Sequence, residues 1–335
     1  MSNQLVAPKL EQILHLNMKV ETKTGLLISA GRTMGRIGGV DVESISMERE
    51  YVCNNAKITV RVPYIPGSSL KGRMRSLLEL SGGLPLYSTD KKIWAHTPSV
   101  EVYDINNTKL GLEKFLEVIN KYKLDKLFGY SSFSIGDLIK EQQTTKRNET
   151  EQGPPTTTNQ QRQVESTDYM NIIKGLTPTL LLVDDFFVES SYVCNILLQN
   201  GIVSFNDFVE DKSENRIDRI TSMADPRTIL RVKPGVRFDG KISLLIYENI
   251  KKDLKEYLEL ILNGLSLVEN TYLGASGSRG YGRVRFMDIQ LSSTKIEQGI
   301  VKDKKIEIQQ EGQKKDKFED LNDLKNNLEK IVQLF

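Results

Sequence analysis

The sequence predicts a mixed α+β fold, in which helices pack against a β-sheet. Residues 18–22 and 57–62 alternate apolar with polar side chains, which is the pattern of a half-buried strand. After residue 250 the apolar residues instead recur at helical spacing, at Leu254, Leu258, Ile261, Leu265 and Val268. Because strand and helix patterns follow one another along the chain, we expect a sheet with packed helices.

Composition indicates a soluble globular protein. The chain has 335 residues, of which 39% are hydrophobic and 27% are charged, so it is long enough to bury a substantial core. The formal net charge is only +2. A nucleic-acid-binding surface would therefore have to come from local clusters of basic residues and not from a global field.

Cysteine and histidine are both scarce. Cys53 and Cys194 lie far apart in the sequence and predict neither a disulfide framework nor a zinc site, which fits a reducing cytoplasm. His15 and His96 leave little material for a histidine-based metal site or acid–base pair. Residues 1–14 lack a long apolar run, so we expect no signal peptide and no membrane span.

A Gly-Ser turn at residues 66–69 leads into a basic helix. Pro66 and Gly67 end the preceding strand, and either following serine could cap a helix that begins near Ser68. Free backbone N–H groups at the start of a helix favour phosphate. The candidate anion-binding residues are Ser68, Ser69, Lys71, Arg73 and Arg75. An ordinary capped helix with a solvated basic face is the alternative, and no Walker phosphate loop is present.

Two further stretches could contact a nucleic-acid backbone. Basic residues gather between Arg216 and Arg237, including Arg219 and Arg227, and this density favours a backbone-binding arm over a merely solvated face. Residues 274–282 are rich in glycine, but they follow a helix and precede a strand, which is the reverse of a dinucleotide-binding fingerprint. Such glycines would let the backbone approach a phosphodiester closely. The candidates here are Gly274, Ser276, Gly277, Ser278, Arg279 and Gly280.

Other segments carry less specific signals. Residues 29–41 form a glycine-rich loop that contains Arg36 and is typical of a flexible or ligand-contacting segment. Asp184 and Asp185 interrupt an apolar strand, and they could bind a metal or, more commonly, partner a turn or an arginine. Residues 141–167 are polar and predict a disordered insertion.

These motifs together resemble the RAMP superfamily, and more narrowly the repeated backbone subunit of type III (Csm-type) CRISPR effector complexes. The similarity extends over about residues 18–291, apart from the polar insertion. The motifs that carry it are Ile37-Gly38-Gly39-Val40-Asp41, Pro66-Gly67-Ser68-Ser69-Leu70-Lys71-Gly72, Leu127-Phe128-Gly129, Asn215-Arg216-Ile217-Asp218-Arg219-Ile220-Thr221 and Gly274-Ala275-Ser276-Gly277-Ser278-Arg279-Gly280-Tyr281-Gly282.

The resemblance implies a ferredoxin-like palm of the RNA-recognition-motif type, with a thumb-like hairpin and helical insertions. The palm would occupy residues 1–291, with insertions at about 42–57, 85–125 and 141–167. Residues 292–335 would be a charged tail, whose apolar residues at helical spacing suggest an amphipathic helix packed on its own domain or on a partner. The implied partners are a CRISPR guide RNA, target RNA, other copies or paralogues of the subunit, and the small and large subunits of the complex.

The resemblance also implies cleavage of target RNA at regular intervals. Asp41 matches the aspartate that carries this activity in the family. A carboxylate there could hold a divalent metal, Mg²⁺ or Mn²⁺, or help to deprotonate the ribose 2′-hydroxyl, and the sequence leaves both roles open. Thr24-Gly25-Leu26 is followed by Leu27 where family members often carry a histidine. A guide contact could therefore be absent in this chain.

Three alternatives remain open at the level of sequence. The chain could be a non-catalytic structural subunit of the same complex, or a ribonuclease that processes guide RNA and usually needs a well-placed histidine. It could instead be a general single-stranded RNA-binding module. Such modules stack bases on clustered aromatic residues, and only 7% of this chain is aromatic, which makes the last alternative the weakest.

Overall fold

A computed structural model describes residues 8–32, 42–98, 102–104, 106, 108, 110–130, 178–297, 299–310 and 313–335. Arg36, Asp41 and the insertion at 141–167 lie outside the described residues, so the predictions made for them stay predictions. The described residues confirm the mixed α+β fold. They form a large antiparallel sheet with helices on one face and a smaller sheet beside it.

Nine strands of the described part of the chain form the larger sheet. They are β1 (Leu10–Thr22), β4 (Ser46–Cys53), β5 (Ala56–Ile65), β6 (Leu181–Val183), β7 (Phe186–Val188), β10 (Arg237–Tyr247), β11 (Val284–Glu297), β12 (Ile300–Lys305) and β15 (Lys317–Asp320). Their order across the sheet is β12-β11-β1-β10-β7-β5-β4, with β6 paired to β10 and β15 paired to β11.

The helices follow the apolar periodicity of the sequence closely. They are α1 (Gly67–Gly82), α2 (Gly111–Lys121), α3 (Lys123–Phe128), α4 (Ser190–Asn200), α5 (Leu254–Asn270), α6 (Leu321–Asn326) and α7 (Leu328–Val332). The longest, α5, buries all five residues of the predicted apolar stripe. Its C-terminal end leads through the glycine-rich loop into β11.

The chain order of the central elements is that of a ferredoxin-like palm. It runs β1, α1, β6 with β7, β10, α5 and β11, and the corresponding strands lie in the order β11-β1-β10-β6/β7. Each strand is antiparallel to its neighbours. Each of the two helices therefore connects strands that follow one another in this order but are not neighbours in the sheet, and both helices pack on the same face of the sheet.

The alternation along β1 shows how this core forms. Leu14, Leu16, Met18 and Val20 are almost fully buried against the helices, whereas the residues between them lie on the open face. Period-two alternation places every second side chain on one face. A one-residue shift in register would expose the whole apolar set.

A second sheet stands beside the palm. It contains β2 (Ser29–Arg32), β3 (Val42–Ser44), β8 (Val209–Ile217) and β9 (Ala224–Val232), in the order β2-β3-β9-β8. Strands β8 and β9 form a long antiparallel hairpin, which contains most of the basic residues predicted between Arg216 and Arg237. This hairpin occupies the place expected for the thumb-like element.

The segment near residues 85–125, which was predicted to be an insertion, has a small apolar core of its own. Its buried members are Tyr87, Val102, Leu110, Phe115 and Ile119. The chain stretch from 42 to 57, which was also expected to be an insertion, supplies β3, β4 and the beginning of β5. It therefore extends both sheets.

The C-terminal tail packs on its own domain. Strand β12 extends the palm sheet beyond β11, while β13 (Ile308–Gln310) and β14 (Gln313–Lys315) form a separate hairpin. The apolar stripe forms two short helices with a break at Asn327, where a single amphipathic helix had been predicted. Phe318, Leu324 and Ile331 are buried in the main core, so the stripe contributes to folding.

Cys53 and Cys194 form a disulfide bond in the structure. The expectation that these two cysteines give no disulfide was therefore wrong. The bond joins the end of β4 to α4 across a sequence separation of 141 residues. Spacing along the chain could not reveal it, because the contact between α4 and β4 exists only in the folded protein.

Candidate nucleic-acid interface

Helix α1 begins one residue earlier than predicted. It begins at Gly67, and its N-cap, Pro66, forms no side-chain cap, so neither of the two serines has the predicted capping role. The Gly67 N–H instead donates to Asp185 Oδ1 over 2.7 Å. A carboxylate from the β6–β7 turn thus meets one of the free N–H groups of the helix, as expected for an anion at this position.

Basic residues of α1 make contacts within the protein. Lys71 donates to the Leu181 carbonyl over 2.8 Å, and burial, with Arg75 nearby, lowers the pKa of Lys71. Arg75 donates to the carbonyls of His96 and Gly129, each over 2.6 Å. These two residues hold the helix to the palm and to the insertion. Ser68 is exposed and Ser69 is half-buried, so both remain accessible at the helix start.

Arg73 links α1 to the glycine-rich loop. Its guanidinium lies over the Tyr272 ring, with Cζ 3.9 Å from the ring centroid, and its Nε donates to the Tyr272 carbonyl over 3.0 Å. Gly277 packs against the same tyrosine so closely that an added Cβ would lie 1.9 Å from Cγ of the ring. A side chain at 277 would displace Tyr272 and separate two predicted parts of the site.

The glycine-rich loop packs against the chain that follows β1. Gly274 has a φ of +79°, and a Cβ there would lie 2.4 Å from the Leu27 carbonyl oxygen. The next N–H, that of Ala275, donates to the same carbonyl over 2.8 Å. Only glycine accommodates both the left-handed backbone and this approach. Ser278, Arg279 and Gly280 lie on the outer, exposed side of the loop.

Glu214 joins the loop to the hairpin. Its carboxylate accepts a hydrogen bond from the buried Tyr281 hydroxyl over 2.7 Å and one from Arg227 over 2.5 Å. Arg279 Nη1 lies 3.7 Å from Glu214 Oε2. Hydrogen bonds from Tyr281 and Arg227 lower the pKa of Glu214, whereas burial and the bond to Glu214 raise the pKa of Tyr281 to about 12.

The hairpin tip presents exposed side chains on an ordered turn. Asp218 Oδ1 accepts hydrogen bonds from the N–H groups of Ile220 and Thr221, which fixes the turn between β8 and β9. Ile220 is 93% exposed and Met223 is 72% exposed, beside the exposed Arg219. Apolar side chains at this tip can contact unstacked bases while Arg219 contacts phosphate.

The residues that flank Asp41 lie beside this hairpin. Arg32 and Val42, on either side of the loop that carries Arg36 and Asp41, are partners in the β2–β3 pair. Val42 is also the partner of Ile229 on β9, in parallel pairing. Two carbonyls, of Leu26 and Leu230, accept hydrogen bonds from the Ser44 hydroxyl and fix β3 there. The chain therefore leaves the small sheet at β2 and re-enters it at β3, and β3 is the strand that pairs with β9.

The structure thus brings together three of the stretches that the sequence predicts: the start of the Asp41 loop, the basic hairpin and the glycine-rich loop. Lys71 and Arg75 belong to a different environment, under β6 and the insertion. Sequence reasoning missed Glu214, Tyr272 and Tyr281, which hold the parts in place. The alternation of β8, which puts Glu210, Lys212 and Glu214 on one face, was the available signal.

Within the described residues, no group of three or more His, Cys, Asp or Glu side chains could hold a metal ion. Asp41 is outside that part of the chain, so no catalytic step through a metal is derived. In the same part of the chain, no helix is long and apolar enough to cross a membrane.

The family model for the RAMP superfamily matches residues 19–285. The chain belongs to the RAMP superfamily. The match runs from the last part of β1 to the beginning of β11, and it includes the thumb-like hairpin and the glycine-rich loop of this RAMP protein.

Relatives of this RAMP protein are found in archaea and bacteria. A Methanothermobacter thermautotrophicus protein named CRISPR system Cms endoribonuclease Csm3 is 30% identical over 278 residues, which are 82% of this chain and 84% of that protein. A Streptococcus thermophilus protein of the same name is 26% identical over 82% of this chain and 87% of its own length. The crystal structure of Methanopyrus kandleri Csm3 aligns with a TM-score of 0.44 at 20% identity, over 87% of this chain and 79% of that chain.

Proposed function

We propose that this protein is the repeated backbone subunit of a type III CRISPR effector complex. It binds guide RNA and cleaves the target RNA paired to that guide at regular intervals. Its relatives are named as Csm3 endoribonucleases, and it matches them over most of their length. In a cytoplasmic complex of this kind, base pairing reads the sequence, while the protein contacts the RNA backbone.

The observation that carries this proposal is the shared environment of Glu214. Through Tyr281 and Arg279, this carboxylate holds the glycine-rich loop against the hairpin, and Arg227 binds it from the neighbouring strand of the hairpin. Strand β9 of that hairpin pairs with β3, directly after Asp41. The parts expected to bind RNA therefore stand next to β3, the strand that follows Asp41 in the sequence.

RNA contacts are assigned to side chains and N–H groups that the structure leaves accessible. Arg219 at the hairpin tip and Ser278, Arg279 and Gly280 on the loop are exposed. The proposed interface also includes the remaining predicted residues of the loop, the serines at the start of α1, and Arg36. A structural role is assigned to Lys71, Arg73 and Arg75, because their side chains donate hydrogen bonds to backbone carbonyls of the protein.

Cleavage is assigned to Asp41, with a divalent metal, Mg²⁺ or Mn²⁺, as its cofactor. When bound, such a metal would stabilise charge on the scissile phosphate or activate the attacking oxygen. The test is an Asp41→Ala variant in the assembled complex with guide RNA, assayed for target cleavage with and without EDTA. Glu48→Ala, which removes an exposed carboxylate from β4, is the matched control.

We expect Asp41→Ala to abolish cleavage while guide and target binding persist, and we expect EDTA to stop cleavage by the wild type and by Glu48→Ala. Cutting at every site by the Asp41→Ala complex would make the catalytic assignment wrong. It would favour the non-catalytic structural subunit. Cleavage of repeat RNA by the isolated chain would instead indicate a guide-processing ribonuclease.

A further inference from the structure

A basic cleft lies at the far end of the palm from the hairpin. It is formed by the ends of β1 and β11, the edge strand β12, the β13–β14 hairpin and the C-terminal residues that follow α7. It encloses about 500 Å³, which is within the range of small-molecule sites. Apart from Gln12, the residues that line it follow residue 285, where the family match ends.

Positive charge in the cleft exceeds negative charge. Among the side chains that line it, those of Lys295, Lys304, Lys305 and Lys314 are positive and that of Glu307 is negative. Lys314 pairs with Glu307 over 2.8 Å. The other three lysines form no ion pair with any residue in the described part of the chain. The positive charge of the cleft affects Glu307. Its hydrogen bond to Lys314, and then the charges of Lys304 and Lys305, lower the pKa of this carboxyl.

A buried amide faces the same space. Gln12 is only 5% exposed, yet it lines this cleft and the adjoining one that contains Lys9 and Lys251. Its side chain makes no hydrogen bond to another described residue. Burial of an amide without a hydrogen-bond partner is unfavourable, so such a group points to a ligand that would supply one.

Apolar side chains also line the cleft. Ile306 is buried, and Leu334 and Phe335 contribute partly exposed side chains. Lysine ammonium groups bind phosphate as point charges, whereas an aromatic or aliphatic wall accepts the flat face of a base. A purely inorganic anion would leave these apolar side chains unused.

We propose that the cleft between β11, β12 and the C-terminus binds a nucleoside phosphate. Lys295, Lys304 and Lys305 bind the phosphate, the Gln12 amide hydrogen-bonds the ligand, and Phe335 contacts the base. Two kinds of ligand contain a nucleoside phosphate: a free mononucleotide and the phosphorylated end of an RNA strand. The site is separate from the proposed guide interface and does not depend on it.

The test is a calorimetric titration of the full-length protein with AMP, with adenosine and orthophosphate as partial ligands. Lys304→Gln removes one phosphate contact, and Gln12→Leu removes the amide at similar size. Lys57→Gln is the matched control, because it removes one positive charge from an exposed site on the β4–β5 hairpin. A 5′-phosphorylated oligouridylate, added as a competitor, distinguishes the two kinds of ligand.

We expect AMP to bind at a single site and more tightly than adenosine or orthophosphate. Lys304→Gln and Gln12→Leu should each weaken AMP binding about tenfold, the effect of losing one charge-assisted or buried hydrogen bond. Lys57→Gln should bind AMP as the wild type does. Competition by the oligonucleotide assigns the site to strand ends, and lack of competition assigns it to free nucleotides. Absence of saturable AMP binding, or equal affinity in the wild type and Lys304→Gln, overturns the proposal.

Discussion

Glu214 shows how one side chain can hold a composite site together. Its carboxylate accepts one hydrogen bond from the neutral Tyr281 hydroxyl and one from the charged Arg227 guanidinium, and it lies close to Arg279. Each of these three partners comes from a segment that the sequence marks as glycine-rich or basic. A buried hydroxyl and a carboxylate paired in this way fix the relative position of loop and hairpin more narrowly than apolar contact would.

Arg219 is the residue whose RNA contact can be tested with least effect on folding. It is exposed at the hairpin tip, whereas Arg227 is bound to Glu214. We expect Arg219→Ala to weaken RNA binding and to reduce the salt slope of the affinity by about one, because one phosphate contact is lost. Arg227→Ala should also weaken RNA binding, partly by releasing Glu214.

Filter-binding or fluorescence-anisotropy titrations over a series of salt concentrations measure this slope. Lys57→Ala, on the exposed β4–β5 hairpin, is the control for the loss of one positive charge. An unchanged slope for Arg219→Ala would mean that this side chain faces away from the RNA.

The roles predicted for single residues were limited because the sequence does not show which distant residues their side chains contact in the folded protein. The Gly-Ser turn indicated the helix start to within one residue, but Asp185, distant in sequence, supplies a carboxylate at the helix end for which phosphate was predicted. Arg75 was grouped with the anion-binding residues because of its charge and spacing. Its partners, the carbonyls of His96 and Gly129, are brought to it only by the fold.

Helix α1 is attached to the insertion by a buried polar network. The ring of His96 is fully buried, with Nε2 3.0 Å from Asp125 Oδ2 and Nδ1 2.6 Å from the Pro85 carbonyl. Arg75 adds a contact of 3.3 Å to Asp125 Oδ1. Burial opposes the charge, but Asp125 and the Pro85 carbonyl together raise the pKa of His96 above its ordinary value.

This shift predicts a pH dependence of stability. Because the folded state favours charged His96, its contribution is complete below the ordinary histidine pKa of about 6.5 and is lost as pH rises through the raised pKa. We therefore expect the melting temperature to fall as pH rises from neutral to mildly alkaline, and to fall less in His96→Gln than in the wild type.

The chain contains one other histidine, which supplies the control. Burial, with Lys241 nearby, lowers the pKa of His15, so its contribution is present above the ordinary value and is lost as pH falls. His15→Gln should therefore alter the acid side of the stability profile and leave the alkaline side unchanged. An alkaline trend that is identical in the wild type and His96→Gln would contradict the assigned role of His96.

Elements were predicted better than their connections. The alternation of β1 and the apolar stripe of α5 could be recognised in the sequence because each element is long and regular and buries one face in the core. The apolar run between residues 179 and 188 was also recognised, and the structure divides it into β6 and β7 at the two aspartates. The pairing of β3 with β9 and the disulfide that joins β4 to α4 depend on long-range contacts that local patterns do not encode.

At the scale of the whole molecule, the palm supports two separate surfaces. One combines the hairpin, the glycine-rich loop and the ends of the Asp41 loop, and it lies within the part matched by the RAMP superfamily. The other is the basic cleft of the C-terminal segment, beyond that part. Because the tail is folded into the same core through Phe318 and Ile331, the second surface is held rigidly relative to the palm.

From the arrangement of the first surface, we expect that copies of this subunit cut target RNA at the spacing at which they bind the guide. Each copy presents one hairpin and one Asp41 loop. Identical subunits repeated along the guide would therefore place identical cutting segments at equal separations, whatever the sequence of the target.

The most direct measurement is a map, at nucleotide resolution, of the cuts that the purified complex makes in end-labelled target RNA. We expect a ladder with one constant spacing, which is unchanged when guide and target are both replaced by another matched pair. The number of cuts should equal the number of copies of this subunit in the complex. Cuts whose positions follow the target sequence, or a ladder whose count is independent of the copy number, would contradict this expectation.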